Sequence, residues 1–107
     1  MKYNQHQLVV VNLDPTIGSE IKKIRPCVII SPNEMNRYLN TIFIAPITSN
    51  LRDYPTRVQV QVNSKESRIA VDQIRTIDKQ RIIKNIGQLN TKEMDALKSI
   101  IYETFVR

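Results

Sequence analysis

Cysteine, histidine, glycine and tryptophan are scarce in this chain of 107 residues, which holds one Cys, one His, two Gly and no Trp. Each scarcity excludes something. A lone Cys27 forms no internal disulfide, which fits a reducing compartment. With only His6 beside it, there is no Cys/His set to cage a metal. One imidazole also rules out a pair of histidines acting as acid and base. Glycine is confined to Gly18 and Gly87, so the Gly-rich phosphate loop of P-loop enzymes is absent. No apolar run approaches the length of a membrane span or a signal core: "LVVVNL" is cut short by Asn12 and Asp14. The expectation is a cytoplasmic protein with one domain over residues 1–107 and neither metal nor cofactor.

Positive charge is what the sequence has in excess. Sixteen Lys and Arg against ten Asp and Glu give a net charge of +6, which favours a polyanion or an acidic protein as partner. Hydrophobic residues make up 41% of the chain, enough for one core.

Their pattern is mostly that of strands. "LVVVNL" (8–13) is a β-branched run ended by the turn signal "DPT", and "PCVIIS" (26–31) is a second strand. Residues 14–25 between them form a long polar loop, a length that favours a functional segment. A helical turn over Asn33–Tyr38 precedes "TIFIAPIT", a third strand that Pro46 should end or bulge. "RVQVQV" (57–62) alternates strictly, placing Val58, Val60 and Val62 on a buried face. "SRIAV" (67–71) is a fifth strand and "RIIKNIGQL" (81–89) a sixth, with Gly87 at a bulge or turn. A closing helix starts at Asn90, where Glu93 completes a capping box, and its apolar stripe is Met94, Leu97, Ile101 and Phe105. Five or six strands and one helix predict a mainly β fold, a small, partly open barrel with a C-terminal α-helix.

Three polar clusters remain as candidates for chemistry. "GSEIKKIRP" packs Lys22, Lys23 and Arg25 into four residues. "APITSN" carries the hydroxyls of Thr48 and Ser49 at the end of the third strand. Arginine offers a planar fork of donors to phosphate oxygens, and hydroxyls add neutral donors, so the two together suit a phosphodiester. A solvated loop and a plain turn remain the alternative reading. In "VDQIRTIDK", Asp72, Gln73, Arg75 and Lys79 suggest either base contacts or a turn held by local ion pairs around Asp78. His6 falls in a polar N-terminal segment, and Cys27 reads as a small core residue.

"LDPTIGSEIKKIRPCVIIS", "IAPITSN" and "VDQIRTIDKQRI", in this order and spacing, resemble the motifs of the MazF/PemK toxins, ribosome-independent endoribonucleases of bacterial toxin–antitoxin modules. The likeness runs from about Leu8 to the final helix. It implies an SH3-like barrel of the type shared by the MazF, CcdB and Kid toxins, a homodimer, and metal-independent cleavage of single-stranded mRNA at a short sequence. It further implies an antitoxin whose acidic, disordered segment blocks the RNA groove. By position, the resemblance makes Arg25 and Thr48 the catalytic pair. It puts Glu20, Ser49, Asn50, Asp72 and Gln73 where relatives contact RNA, and Lys22 and Lys23 where they would steer it. Some relatives carry an arginine at the place of Ala70, so here Arg25 has to bear more of the charge stabilisation. Two other functions suit the same residues: a toxin of this fold that poisons gyrase, whose relatives end in a Trp-containing tail absent here, and a basic nucleic-acid-binding module without activity.

Overall fold

The chain alternates between segments apolar on one face and segments apolar on both, and this difference sets the layers. In the computed structural model, which describes residues 2–21 and 23–106, the strands are β1 (Gln7–Asn12), β2 (Ile24–Ile29), β3 (Thr41–Thr48), β4 (Arg57–Val62), β5 (Lys65–Ala70), β6 (Arg75–Asp78) and β7 (Ile82–Gln88). Helix α1 covers Asn33–Tyr38 and α2 covers Thr91–Ile101. All pairings are antiparallel, in the order β4-β5-β3-β2-β1-β7, with β6 also on β3.

β3 is the branch point. Thr41–Ile44 pair with β6, whereas Ile47 and Thr48 pair with β5. Pro46, expected to end or bulge this strand, does neither. It sits between those two pairings, where the strand changes partner, and faces Cys27 of β2 on the other side. A residue without an N–H fits where one ladder has stopped and the next has not begun.

Two apolar clusters fill the curled sheet. The larger joins Leu8, Val28, Ala45, Ile47, Ile69 and the three valines of β4 with Leu97 of α2. The smaller lies on the opposite face of β1 and β2 and holds Val9, Val11, Cys27 and Ile29 with Ile42, Ile44 and Ile77. β1 therefore buries both faces, which is why its sequence is apolar without alternation. β4 alternates as predicted: its valines are buried while Gln59 and Gln61 are exposed. No helix is long and apolar enough to cross a membrane among the described residues.

The capping box of α2 is present. Asn90 Oδ1 accepts the Glu93 N–H at 2.8 Å, and Glu93 Oε1 accepts the Asn90 N–H at 3.0 Å. Glu93 Oε2 takes a third bond, from the Gln61 N–H at 2.9 Å. One carboxylate thus starts the helix and covers part of the edge of β4.

Several expectations need correction. The described residues form seven strands, one more than expected, because β6 was missed: its only buried apolar residue is Ile77, which is too little for a periodicity. Val71 opens a 3₁₀ turn (Val71–Gln73) instead of ending β5. The stripe of the last helix stops at Ile101. Residues Tyr102–Val106 wind as a π-helical turn, which rotates the phase and leaves Phe105 59% exposed.

Candidate active site

Residues of the first two polar clusters converge because β2 and β3 are neighbours running in opposite directions. Cys27 faces Pro46. Two positions on, Arg25 and Thr48 lie on the same side of these strands, since side chains repeat every second residue. Both are half-buried and both line one open cleft of 320 Å³, together with Ser49. Pro26, Ile47 and the β4–β5 hairpin, with Val62, Asn63, Lys65 and Ser67, complete that wall. Every polar residue lining the cleft carries a hydrogen-bond donor, and among the described residues no carboxylate lines it. Thr48 Oγ1 accepts the Asn50 N–H at 3.1 Å. That bond uses one lone pair and leaves the hydroxyl proton for an incoming oxygen, so Asn50 orients Thr48 through its backbone.

A second depression, of 180 Å³, lies one residue back along β3, at Pro46. It gathers Glu20 from the β1–β2 loop with Asp72, Gln73 and Arg75. These side chains are engaged within the protein. Gln73 Oε1 accepts the Ile21 N–H at 2.8 Å, Glu20 Oε1 accepts the Ile17 N–H at 2.7 Å, and Arg75 Nη1 donates to the Leu13 carbonyl at 3.3 Å. Arg81 Nη1 also donates to the Asn12 carbonyl, at 3.2 Å, and to that of Asp14. The third motif therefore works largely as the mooring of the long loop. Local ion pairs around Asp78 do not describe its cations: Arg75 and Lys79 bond to backbone carbonyls, of Leu13 and Asn36, while Asp78 caps a turn by accepting the Gln80 N–H.

Asp72 is bound by Arg57 Nε and by Thr56 Oγ1, both at 2.9 Å. Partial burial would raise its pKa, but these bonds outweigh it and hold the carboxyl below its ordinary range. Lys23 is exposed at the end of the loop, where Asp14 Oδ1 accepts its N–H at 3.0 Å and its φ is 67°. Lys22 lies outside the described residues.

Burial also sorts the two lone residues. Cys27 is completely buried and its thiol is pushed up to about 12, chiefly by desolvation, so it is no nucleophile at neutral pH. His6, expected in a polar segment, is only 7% exposed. Its N–H bonds to the Ile29 carbonyl and its own carbonyl accepts the Leu89 N–H, stitching three segments together. Burial, then the charge of Lys98, lowers its pKa. Ile29 is four residues from Arg25 along β2, about 13 Å, so His6 belongs to the far end of the strand.

Lys65, Asn63 and Ser67 were not singled out in the sequence. The available signal was the two-residue hairpin connection after an alternating strand, which directs the next residues back beside β3.

Comparison with known proteins fits this geometry. A family model described as the PemK-like, MazF-like toxin of type II toxin–antitoxin systems matches residues 4–105. The chain is 36% identical over 98 residues to the endoribonuclease MazF of Staphylococcus saprophyticus, covering 86% of this chain and 82% of that protein. It is also 36% identical over 90 residues to the endoribonuclease EndoA of Bacillus subtilis, covering 78% of each. A mycobacterial endoribonuclease solved in complex with its cognate antitoxin shares the fold, with a TM-score of 0.80 at 19% identity over 94% of this chain and 92% of that one. By the near-complete family match and by these relatives, the chain belongs to the PemK-like, MazF-like toxins of type II toxin–antitoxin systems.

Proposed function

We propose that this protein is an endoribonuclease toxin that cuts single-stranded mRNA without a metal, by attack of the 2′-hydroxyl on the adjacent phosphate. The observation that carries the reading is the shared cleft: Arg25 and Thr48 reach it from different strands, and no described carboxylate lines it to repel a phosphodiester. RNA brings its own nucleophile. What it needs is in-line alignment and stabilisation of the extra negative charge on phosphorus in the transition state. Arg25 binds the non-bridging oxygens and supports departure of the 5′-oxygen. Thr48, aimed by the Asn50 N–H, donates to the same phosphate. The products are a 2′,3′-cyclic phosphate and a 5′-hydroxyl.

Glu20, Asp72 and Gln73 act around this centre by holding the loop and offering groups to flanking nucleotides, with Ser49 and Asn50 on the opposite side. Lys22 and Lys23 steer the RNA through their charge. The protein acts as a homodimer in the cytoplasm and is inhibited by a cognate antitoxin whose acidic, disordered segment competes for the cationic surface. The mycobacterial relative solved with its antitoxin supports such a partner.

The test is to incubate pure protein with a long single-stranded RNA in EDTA and to analyse the ends. Cuts at a recurring short sequence with 5′-hydroxyl ends are expected. Intact RNA accompanied by inhibition of gyrase would replace this reading with the gyrase-poisoning one. Intact RNA that is merely bound would replace it with a binding module.

A further inference from the structure

The β4–β5 hairpin supplies a cation to the cleft that the reaction as described does not use. Lys65 is the first residue of β5, paired with Val62 across the turn Asn63–Ser64. Both turn residues have positive φ, 52° and 65°, the signature of a tight two-residue turn matched to the twist of its strands. This fixes where the strand restarts, and with it the base of the Lys65 side chain on the cleft wall.

β3 lies between β2 and β5 in the sheet. Arg25 and Lys65 therefore stand on either side of the strand that carries Thr48; their strands are about 10 Å apart, and Lys65 lies three residues, about 10 Å, along β5 from Arg68, the residue that faces Thr48. The neighbouring arginines of the hairpin are already neutralised. Arg57 pairs with Asp72, and Arg68 pairs with Asp53 and Glu66. Lys65 enters no ion pair among the described residues, is exposed, and shares its cleft with no described carboxylate. The cleft also has apolar lining, from Pro26, Ile47 and Val62, which suits a ribose and base better than it suits a second anion.

We propose that Lys65 binds the phosphate next to the scissile one, so that the cleft holds a nucleotide at both ends: Arg25 and Thr48 on the reacting phosphate, Lys65 on its neighbour. This rests on the reading of the cleft as an RNA-cleaving site. Lys65 is a binding and positioning residue and takes no part in bond making.

The experiment starts from cut sites mapped in a long RNA by the wild-type protein. An oligoribonucleotide spanning one of them, 2′-deoxy at the cut position so that it stays whole, is titrated against wild type, Lys65→Ala and Lys65→Arg over a range of salt. Loss of one single-strand phosphate contact lowers the log-log salt slope by about 0.7. Lys65→Ala is expected to show that drop and to raise KM more than it lowers kcat on the cleavable oligomer, with Lys65→Arg restoring both. Unchanged slope and KM in Lys65→Ala, in a variant that melts with wild type, overturn the inference while leaving the activity intact. Failure of the wild type to cut any RNA overturns the activity itself, and this inference with it.

Discussion

The two depressions along β3, one at Pro46 and the other at Thr48, contain similar residue types but differ in what those residues are doing. In the one around Glu20, Asp72, Gln73 and Arg75, each side chain already has a partner inside the protein, and the bonds converge on the β1–β2 loop or on the start of β4. In the one around Arg25, Thr48 and Lys65, donors predominate and no described carboxylate lines the wall. The first is built to hold a loop in place. The second, on the proposed reading, receives an anion. A motif match alone treats the two sets as equivalent site residues, whereas the hydrogen bonds separate anchoring from chemistry.

Substitutions can break this contrast. The largest effect belongs to Arg25→Ala, which on the proposed mechanism removes the main charge facing the phosphorane: a fall in single-turnover cleavage of at least about 10² to 10³, with the melting temperature retained. Thr48→Val removes one hydroxyl donor to a charged oxygen, a bond of about 1.5 to 3 kcal/mol, and should slow cleavage by about 10- to 150-fold. It would leave binding of an uncleavable RNA nearly intact. Gln73→Ala acts on the other depression. It strands the Ile21 N–H and should speed hydrogen exchange there and raise KM, with a smaller effect on the chemical step. A Gln73→Ala variant as slow in single turnover as Arg25→Ala would erase the distinction. Glu93→Ala lies remote from both and tests the scaffold: losing the capping box should cost about 1 kcal/mol in denaturant unfolding without changing the cleavage pattern.

Acid supplies the mildest perturbation. His6 and Asp72 both have folded pKa values below their ordinary ones, 6.5 and 3.8. The unfolded chain therefore binds more protons, and stability falls as pH drops, first below about 6.5 through His6 and then below about 3.8 through Asp72. Melting curves from pH 8 to 3 should show both declines. His6→Asn, which tolerates the positive φ at this position, should remove the upper one, and Asp72→Asn the lower.

Much of the scaffold was legible in the sequence because its signals are local. The alternation of β4, the helical turn at Asn33–Tyr38 and the capping box at Asn90 and Glu93 need no knowledge of the rest of the chain. β6 was not legible, since a four-residue strand with one buried apolar side chain exists through its pairing with β3. Phe105 was misplaced because extending a 3.6-residue period assumes a regular helix, and the chain leaves that period at Tyr102. At the site, Arg25 and Thr48 could be named from their motifs, but that they share a cleft follows from strand order. Lys65 has no motif at all; only the hairpin brings it there. The mooring roles of Gln73, Arg75 and Arg81 bridge more than fifty residues and could not be read from neighbouring sequence.

In the proposed mechanism RNA supplies its own nucleophile to a cleft that offers only positioning and charge. Two oligoribonucleotides spanning one mapped cut site, identical except for a 2′-deoxyribose at the cut position, measure this directly under single turnover in EDTA. The all-ribose strand should be cut to a 2′,3′-cyclic phosphate while the deoxy strand stays whole at equal binding. Cleavage of the deoxy strand at a comparable rate would contradict the account.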